Sequence, residues 1–383
     1  MPMARDADNV HMARALRLAE RGWFTTRPNP RVGCVLVRDG SVVGEGWHER
    51  AGGPHAELMA LRRAGAAAAG ATAYVTLEPC SHHGRTAPCV DALQAAGIAR
   101  VVAAMRDPNP LVAGTGLARL EAAGIETVVG PCGDEARALN AGFVSRMERG
   151  RPRVRVKLAA SLDGRTAMAT GESRWITGEA ARGDVHRLRA ECGALITGIG
   201  TVLADDPSLN VRLDLPVPGL SDPGACWPQP LRVILDSGLR CPGRARTLSL
   251  PGGVLVVTTG EEPRDARDRL AAAGAEVVVV PPDRSRPALA PVLELLAERE
   301  INDVLVEAGA TLAGAFLQAG LVDELVLYLA PHLMGDAARG LVHLPGLLGM
   351  ADRVALAITD IRAVGRDWRV RACPVPDRAA GGE

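Results

Sequence analysis

The chain has 383 residues, and at about 100–200 residues per domain this length predicts two domains. Its 44 Lys and Arg balance 44 Asp and Glu, and only 3% of the residues are aromatic. A general nucleic-acid-binding protein shows a basic excess and stacking aromatic side chains, so this composition argues against that class. Any anionic ligand must therefore be held by locally placed groups.

The N-terminal segment and the cysteine content indicate the compartment. Residues 1–10 (MPMARDADNV) carry early charges and lack the apolar core of a secretory signal. The longest apolar runs, such as Val254–Val257, are far shorter than the ~20 residues that span a bilayer. Eight cysteines are too few for a disulfide scaffold. We therefore expect a cytoplasmic protein with no membrane partner.

The first half of the chain alternates helix and strand patterns up to residue 148. Residues 10–19 have helical spacing, and residues 32–37 and 42–46 form a predicted strand pair around the Asp39-Gly40 turn. Further predicted elements are helix 55–64, strand 73–77, helix 89–96, strand 100–105, helix 116–123, strand 125–129 and helix 135–147. This alternation predicts a three-layer α/β domain over residues 1–148, bounded by the Gly- and Pro-containing segment 148–152.

The second half alternates in the same way, which predicts a second α/β domain over residues 152–373. Predicted strands are 154–159, 194–197, 231–235, 254–258, 276–280, 303–306 and 324–329, and predicted helices are 179–191, 264–273, 288–298 and 311–319. Pro and Gly crowd residues 215–230, which we interpret as a surface loop. We expect residues 374–383 to form a disordered tail.

Four residues of the first half have the composition of a catalytic zinc site. His55 and Glu57 open a predicted helix, and Cys80 and Cys89 each follow a proline. Residues two apart lie about 200° apart on a helix, so His55 and Glu57 can converge only off its N-terminus. One neutral His and two thiolates neutralise Zn²⁺ and leave its fourth position to water. We therefore predict His55, Cys80 and Cys89 as zinc ligands and Glu57 as a proton shuttle.

The pattern H-x-E followed by P-C and a second P-C is typical of the zinc nucleobase deaminases. Eight residues separate the cysteines, and this spacing resembles the pyrimidine deaminase of the bifunctional riboflavin biosynthesis family. The segments 27–34 (RPNPRVGC) and 107–110 (DPNP) resemble the same family. The resemblance implies a cytidine-deaminase-like domain. It also implies substrate contacts at Asn29, His82, Arg85, Asp107 and Asn109.

Four segments of the second half resemble the reductase domain of that family: 157–166, 173–177, 198–207 and 304–314. The pattern of segment 304–314 predicts a strand, a glycine turn and the start of a helix. Such a turn points backbone N–H groups at an anion. The resemblance implies a dihydrofolate-reductase-like fold that uses NADPH. The implied cofactor contacts are Ala159, Trp175, Thr201, Asp205, Ser237, Gly309, Ala310, Thr311, Leu312, Ala313, Gly314 and Ala315.

The implied substrate contacts of the reductase are Ser173, Arg189, Leu209, Arg212 and Glu307. To these we add Lys157, because it is the single lysine of the chain and lies on the strand leading into the site. Lys157 and Asp205 are the two candidates for protonating the sugar oxygen. No G-x-G-x-x-G motif follows a strand, and Gly114-Thr115-Gly116 lacks the third glycine of that motif.

The resemblance implies two consecutive steps of riboflavin synthesis. The first is hydrolytic deamination of 2,5-diamino-6-(5-phosphoribosylamino)pyrimidin-4(3H)-one, with Glu57 moving a proton from water to the leaving ammonia. The second is reduction of the ribosyl group by NADPH, which gives 5-amino-6-(5-phosphoribitylamino)uracil. We expect one Zn²⁺ per deaminase domain, phosphorylated pyrimidine substrates, no nucleic acid, and a homodimer or homotetramer.

Two other hypotheses stay open at this point. A tRNA or other nucleic-acid deaminase with an accessory domain predicts a basic face, stacking aromatic residues and a short cysteine spacing, and the sequence shows none of these. A binding module with a structural zinc needs a fourth protein ligand. His82 and His83 are the nearby candidates for that ligand.

Overall fold

The computed structural model describes residues 2–81, 88–110, 112–213, 216–218, 226–260 and 264–375. The chain divides into two compact units. The first comprises Met1–Arg151 with the described residues of 215–226, and the second comprises Pro152–Asp214 and Trp227–Glu383. Of the helices described, none combines the length and the apolar character that crossing a membrane requires.

The first unit is built on a five-stranded sheet. Its strands are β1 (Gly33–Arg38), β2 (Ser41–Trp47), β3 (Thr72–Val75), β4 (Arg100–Ala103) and β5 (Glu126–Val129). Its described helices are α1 (Pro2–Glu20), α2 (Ala56–Ala64), α3 (Cys89–Ala95), α4 (Thr115–Ala122), α5 (Gly133–Leu139) and α6 (Ala141–Arg149). The strand order is β2-β1-β3-β4-β5, with β1 antiparallel to both neighbours and β3, β4 and β5 parallel.

Helices cover both faces of this sheet. Adjacent strand residues point to opposite faces, and Leu36 packs with α2, α3 and α4 whereas Val35 packs with α1 and α5. Both faces are therefore apolar, as is usual where parallel strands are covered by helices on both sides of the sheet. The prediction of a three-layer α/β domain is confirmed.

The predicted helix 135–147 is wrong, because two helices meet at Asn140. This residue is buried, and its side chain accepts the Arg31 N–H at 2.8 Å and donates to the Arg31 carbonyl oxygen at 2.9 Å. Residue 140 leaves helical geometry (φ −109°, ψ 23°) where the side chain engages another backbone segment. Arg31 lies two residues after Asn29, so this break anchors the segment that carries a predicted substrate contact.

The second unit is built on a nine-stranded sheet. The described strands of the whole unit, which include those of two small sheets, are β6 (Arg153–Ser161), β7 (Arg165–Ala167), β8 (Ala194–Gly198), β9 (Leu231–Leu235), β10 (Val254–Thr258), β11 (Glu276–Val279), β12 (Pro282–Asp283), β13 (Arg286–Pro287), β14 (Asp303–Glu307), β15 (Glu324–Ala330), β16 (Arg339–Gly340), β17 (Leu356–Val364) and β18 (Asp367–Pro374). Its described helices are α7 (Glu179–Glu191), α8 (Ile199–Asp205), α9 (Arg264–Ala272), α10 (Leu289–Glu298) and α11 (Ala310–Gln318).

The order of the large sheet is β11-β10-β9-β8-β14-β6-β15-β18-β17, while β12 with β13 and β7 with β16 form two small sheets. The strands from β11 to β15 are parallel, and β18 and β17 are antiparallel additions. Helices α10 and α11 pack on one face, and α7, α8 and α9 pack on the other. Because the carboxyl ends of parallel strands meet at one edge, the segments after β8, β9 and β14 are neighbours there.

The sequence pattern did not predict the hairpin of β17 and β18. Almost every residue of the edge strand β17 is exposed, so the alternation that predicts a half-buried strand is absent from it. Pro374 ends β18, and the Val375 N–H donates to the Ala355 carbonyl oxygen at 2.9 Å. The prediction of a tail beginning at residue 374 is therefore wrong for these two residues, and residues 376–383 lie outside the described part of the chain.

Candidate active sites

His55, Cys80 and Cys89 form a cluster in which the ligand atoms all lie within 4.8 Å of one another. His55 Nδ1 is 3.3 Å from Cys89 Sγ and 3.5 Å from Cys80 Sγ. Tetrahedral Zn²⁺ with bonds of about 2.1–2.3 Å holds such atoms about 3.6 Å apart, so the cluster fits zinc. His55 precedes α2 and Cys89 begins α3, so both lie at helix starts. Within the described residues the cluster has these three side chains, which is the ligand number of catalytic sites.

The pKa values of the two thiols are shifted in opposite directions. A hydrogen bond from the Cys89 side chain lowers the pKa of Cys80 to about 4. The same hydrogen bond, together with burial, raises the pKa of Cys89. A divalent cation between the two sulfurs removes the repulsion that opposes ionisation of the second thiol. The chemistry of the donor set therefore fits a metal ion.

Glu57 lies in the first turn of α2 with 3% of its surface exposed. Burial raises the pKa of its carboxyl group, and the charge of His55 opposes that shift. A carboxyl group that takes up a proton more readily than an exposed glutamate suits a group that accepts a proton and returns it. The structure thus brings Glu57 to the cluster of predicted zinc ligands, in an environment that suits its predicted role as a proton shuttle.

His48 is a residue of this site that the sequence analysis missed. It is 2% exposed, and its ring meets that of His55 edge-on with centroids 5.5 Å apart. Its Nδ1 lies 3.0 Å from the Pro54 carbonyl oxygen, which can only accept, so Nδ1 carries the proton. Its Nε2 therefore accepts a hydrogen bond from the Asn29 amide at 3.1 Å. His48 links Asn29 to the cluster, and no motif spacing marked it in the sequence.

Asp107 and Asn109 lie on the loop after β4, and both are half-buried. The Asp107 Oδ1 accepts the Asn109 N–H at 2.9 Å, so the two side chains belong to one turn. The backbone N–H of Asp107 donates to Glu78 Oε2 at 3.1 Å, two residues before Cys80. His82 and Arg85 lie outside the described residues, so their contacts stay predictions.

In the second unit, Arg189 and Glu307 meet at the carboxyl end of β14. Arg189 Nε donates to Glu307 Oε1 at 2.5 Å and Nη2 donates to Oε2 at 2.9 Å, a bidentate ion pair between two predicted substrate contacts. Lys157 stands opposite Glu307 in the register of β6 and β14. Burial lowers the pKa of Lys157, the charge of Glu307 raises it, and Arg189 lowers it. Three predicted site residues therefore share one charged cluster, and the Arg189 side chain does not lie on a solvent-exposed face of α7.

His186 is a second residue that the sequence analysis missed. It lies on α7 one turn before Arg189, and its Nδ1 accepts the backbone N–H of Arg212 at 3.2 Å. Burial and then the charges of Arg189 and Arg212 lower the pKa of His186 to about 4, so the imidazole is neutral. Burial and then the charges of Arg189 and Arg246 lower the pKa of the Arg212 guanidinium. The charges of Arg189 and Arg246 thus act on Arg212 against the charge of Glu307, and this excess of guanidinium groups favours an anion.

Most predicted cofactor contacts lie at the carboxyl edge of the parallel strands. Thr201 and Asp205 are on α8 directly after β8, Ser237 follows β9, Ala159 is near the end of β6, and Gly309 precedes α11. A Cβ added to Gly309 or to Gly200 meets nothing within 4 Å, so both turns leave open space at this edge. The start of α11, which carries Ala310 to Ala315, offers N–H groups to a phosphate beside that space. The residues present fit a dinucleotide.

Gly314 has a packing role within this turn. A Cβ at this position would lie 2.0 Å from the His343 carbonyl oxygen, and the His343 N–H donates to the Ala310 carbonyl oxygen at 3.0 Å. The glycine is therefore required for close approach of the 343 segment.

Trp175 is 69% exposed and stacks with Arg182 at 4.6 Å, so it is not a core residue.

A cleft of about 550 Å³ joins one predicted substrate contact to one predicted cofactor contact. Its lining includes Ser173 and Asp205 together with Arg174 and Arg246. Arg174 Nη2 donates to the Asp205 carbonyl oxygen at 2.6 Å, which ties the 171–174 loop to the end of α8. Leu209, another predicted substrate contact, is buried, and its backbone has a positive φ of +54°.

Two family models match the chain. The model described as "Cytidine and deoxycytidylate deaminase zinc-binding region" matches residues 5–105, and the model described as "RibD C-terminal domain" matches residues 152–370. The first covers the zinc-ligand cluster and the second covers the Arg189–Glu307 cluster. The two sites described above therefore lie in segments that two separate family models match.

Curated relatives and solved structures match nearly the full length. "Riboflavin biosynthesis protein RibD" of Escherichia coli (strain K12) is 53% identical over 363 residues, covering 94% of this chain and 97% of the relative. The protein of the same name from Haemophilus influenzae is 49% identical over 369 residues, with 96% and 97% covered. A structure of Acinetobacter baumannii RibD matches with a TM-score of 0.88 at 47% identity, over 97% and 100%. A Thermotoga maritima structure titled as a diaminohydroxyphosphoribosylaminopyrimidine deaminase/5-amino-6-(5-phosphoribosylamino)uracil reductase matches with a TM-score of 0.82 at 34% identity, over 97% and 100%.

Proposed function

Since the chain belongs to the RibD family of bifunctional deaminase–reductases in riboflavin biosynthesis, we propose the substrates and order of its two reactions. The first unit deaminates diaminohydroxyphosphoribosylaminopyrimidine by hydrolysis. The second reduces the ribosyl group of 5-amino-6-(5-phosphoribosylamino)uracil to a ribityl chain with NADPH. The observation that carries the first step is the three-ligand cluster beside a buried Glu57.

In the deaminase unit, His55, Cys80 and Cys89 hold the zinc ion. A bound Zn²⁺ supplies Lewis acidity, which makes a water molecule nucleophilic at neutral pH. Glu57 accepts a proton from the attacking water and delivers it to the exocyclic amine, which leaves as ammonia. Asn29, whose orientation His48 fixes, and the loop of Asp107 and Asn109 orient the pyrimidine. His82 and Arg85 contact the substrate, with Arg85 on its phosphate.

In the reductase unit, NADPH would supply the hydride that reduces C1′ of the ribosyl group, and a residue of this chain would donate a proton to the sugar-ring oxygen as the C1′–O bond opens. Of the two candidate donors, Lys157 is favoured over Asp205. Lys157 lies in the cluster with Arg189 and Glu307, and burial lowers its pKa toward the range where an ammonium gives up a proton. Asp205 is 42% exposed and pairs with Arg174 at 3.6 Å.

The substrate phosphate in this unit binds at Arg212. The guanidinium of Arg189 is already paired with Glu307 on two nitrogens, whereas the one partner of Arg212 Nη1 among the described residues is the Asn210 side chain at 2.6 Å. A dianionic phosphate gains from the positive surroundings of Arg212. Ser173 and Leu209 complete the substrate contacts.

We propose that residues 1–148 are the deaminase domain and residues 152–373 the reductase domain, with one Zn²⁺ per deaminase domain. The choice of NADPH over NADH and the assembly into a homodimer or homotetramer are proposed by resemblance to the family. Phosphorylated pyrimidines are the substrates, and the neutral charge balance supports the absence of a nucleic-acid partner.

The purified chain tests this function directly. With the diaminopyrimidine phosphoribosyl substrate and NADPH, we expect ammonia release followed by NADPH oxidation at 340 nm. Glu57→Gln should abolish ammonia release yet leave the oxidation of NADPH by the deaminated intermediate intact. Ammonia release that survives in Glu57→Gln contradicts the shuttle, and equal rates with NADH contradict the cofactor assignment.

A further inference from the structure

A single carboxyl group joins the zinc-ligand segment to the loop that carries two predicted substrate contacts. Glu78 lies two residues before Cys80, and 3% of its surface is exposed. Its Oε2 accepts two backbone N–H groups and its Oε1 accepts two more. The donors, with their N···O distances, are Asp107 (3.1 Å), Gly114 (2.9 Å), Gly116 (2.9 Å) and Leu117 (3.3 Å).

These contacts supply the cap that α4 lacks in its own sequence. The residue before the helix is Gly114, at φ +80°, which has no side chain to accept a hydrogen bond. The first N–H groups of a helix have no intrahelical partner, and leaving them buried without one costs about 1–3 kcal/mol each. Glu78 satisfies two of them from the segment after β3, nearly 40 residues earlier, and places an acidic group at the positive end of the helix dipole.

Glycine at position 116 allows this close approach. A Cβ at Gly116 would lie 2.1 Å from the Pro79 carbonyl oxygen and 3.2 Å from Glu78 Oε1. Two further contacts hold the residue after Cys80, since Ser81 Oγ lies 2.6 Å from Thr115 Oγ1 and the Ser81 carbonyl oxygen accepts from Arg119 Nη1 at 2.7 Å. The Gly114-Thr115-Gly116 segment therefore binds the Cys80 segment and not a dinucleotide.

The same carboxyl group fixes the loop before α4. Glu78 holds the backbone N–H of Asp107, and Asp107 Oδ1 in turn holds the N–H of Asn109. A shift of Glu78 would thus move both predicted substrate contacts relative to the zinc ligands. We propose that Glu78 is a positioning residue of the deaminase, which keeps Asp107 and Asn109 in place relative to Cys80. This inference rests on the proposed deaminase function and names a residue that sets its substrate loop.

The test replaces Glu78 by Gln in the full chain. The amide nitrogen would face two backbone N–H groups that need an acceptor, so the loop loses part of its anchor. We expect the KM for the deaminase substrate to rise about tenfold or more with kcat within about threefold, because binding and not chemistry is affected. Zinc content and reductase rate should be unchanged. Glu135→Gln, at an exposed position of the same unit, is the matched control.

A double-mutant cycle separates positioning from general stability. If Glu78 acts through the loop, its KM effect should shrink to less than about threefold in an Asn109→Ala background. If Glu78→Gln does not fold, Glu78→Asp keeps the acid on a shorter chain, and its KM should rise with kcat retained. An unchanged KM in Glu78→Gln, or in Glu78→Asp where only that variant folds, overturns the proposal. Additive effects in the cycle also overturn it.

Hydrogen exchange distinguishes failure of this inference from failure of the proposed function. Amides of residues 105–117 should exchange faster in Glu78→Gln than in the wild type, and those of α3 should not. That readout needs no substrate. A wild-type chain without ammonia release would overturn the deaminase assignment, while an unchanged exchange rate for residues 105–117 would overturn the role of Glu78.

Discussion

Arg189 on α7 and Glu307 at the end of β14 form a two-pronged ion pair between residues 118 positions apart, with N···O distances of 2.5 and 2.9 Å. About one tenth of each side chain is exposed. The resemblance to the family predicts that each of the two residues contacts the substrate, yet in the structure their side chains bind each other. The pair therefore holds a strand end and a helix face together at the reductase site.

Arg189→Lys keeps the charge of this pair but removes the planar fork that binds both oxygens. We expect reductase kcat/KM to fall at least about tenfold, since one charge-assisted hydrogen bond is lost and the remaining one is misaligned. Steady-state NADPH oxidation measures this, and deaminase activity should be unchanged. Arg187→Lys, at an exposed position of the same helix, is the control. A reductase rate above half of the wild-type rate would contradict this role of the fork.

Cys89→Ser tests the metal cluster. A serine hydroxyl is a far weaker zinc ligand than a thiolate, so zinc should fall from about one ion per chain toward none. Deaminase activity should disappear, whereas the reductase should keep its rate because its site lies in the other unit. Metal analysis and both assays measure the outcome, with Cys132→Ser as the control. Full zinc content in Cys89→Ser would remove this residue from the ligand set.

Lys157→Met tests the proton donor of the reductase. Loss of a general acid lowers kcat by about 10²–10⁴-fold. Binding of NADPH, followed by its fluorescence, should be retained, which separates proton transfer from cofactor binding. Lys157→Arg should also be slow, because guanidinium does not release a proton at neutral pH. If Asp205→Asn shows the larger loss in kcat, the assignment passes to Asp205.

The neutral His186 predicts a pH dependence of stability. Its folded pKa of about 4 lies below the ordinary value of 6.5. As the pH falls below 6.5, the unfolded chain takes up a proton that the folded chain does not bind until about pH 4. The folded state therefore loses stability across this window. Denaturant unfolding at pH 7.5, 5.5 and 4.5 should show a smaller loss in His186→Gln, and parallel curves for the two proteins would contradict the prediction.

The α/β organisation and the residue types of the candidate metal cluster were predictable because both depend on short-range features. Strand and helix alternation reflects which side chains are apolar, and His55, Glu57, Cys80 and Cys89 lie in local segments at helix starts. The helix break at Asn140 was not predictable, because the competing partner of that side chain is the Arg31 backbone more than 100 residues away. The edge strand β17 was missed because exposure on both faces removes its alternation.

The sequence by itself determined the α/β organisation, and it predicted the zinc ligands, the carboxyl group that moves the proton and the bounds of the two domains. These follow from residue types and spacings that persist whatever the rest of the chain does. Only the tertiary structure decided the pairing of side chains far apart in the chain, such as Asn29 with His48, Glu78 with the Asp107 loop, and Arg189 with Glu307. Those pairings depend on side-chain direction and on which backbone N–H groups burial leaves in need of an acceptor, and neither is written in local sequence.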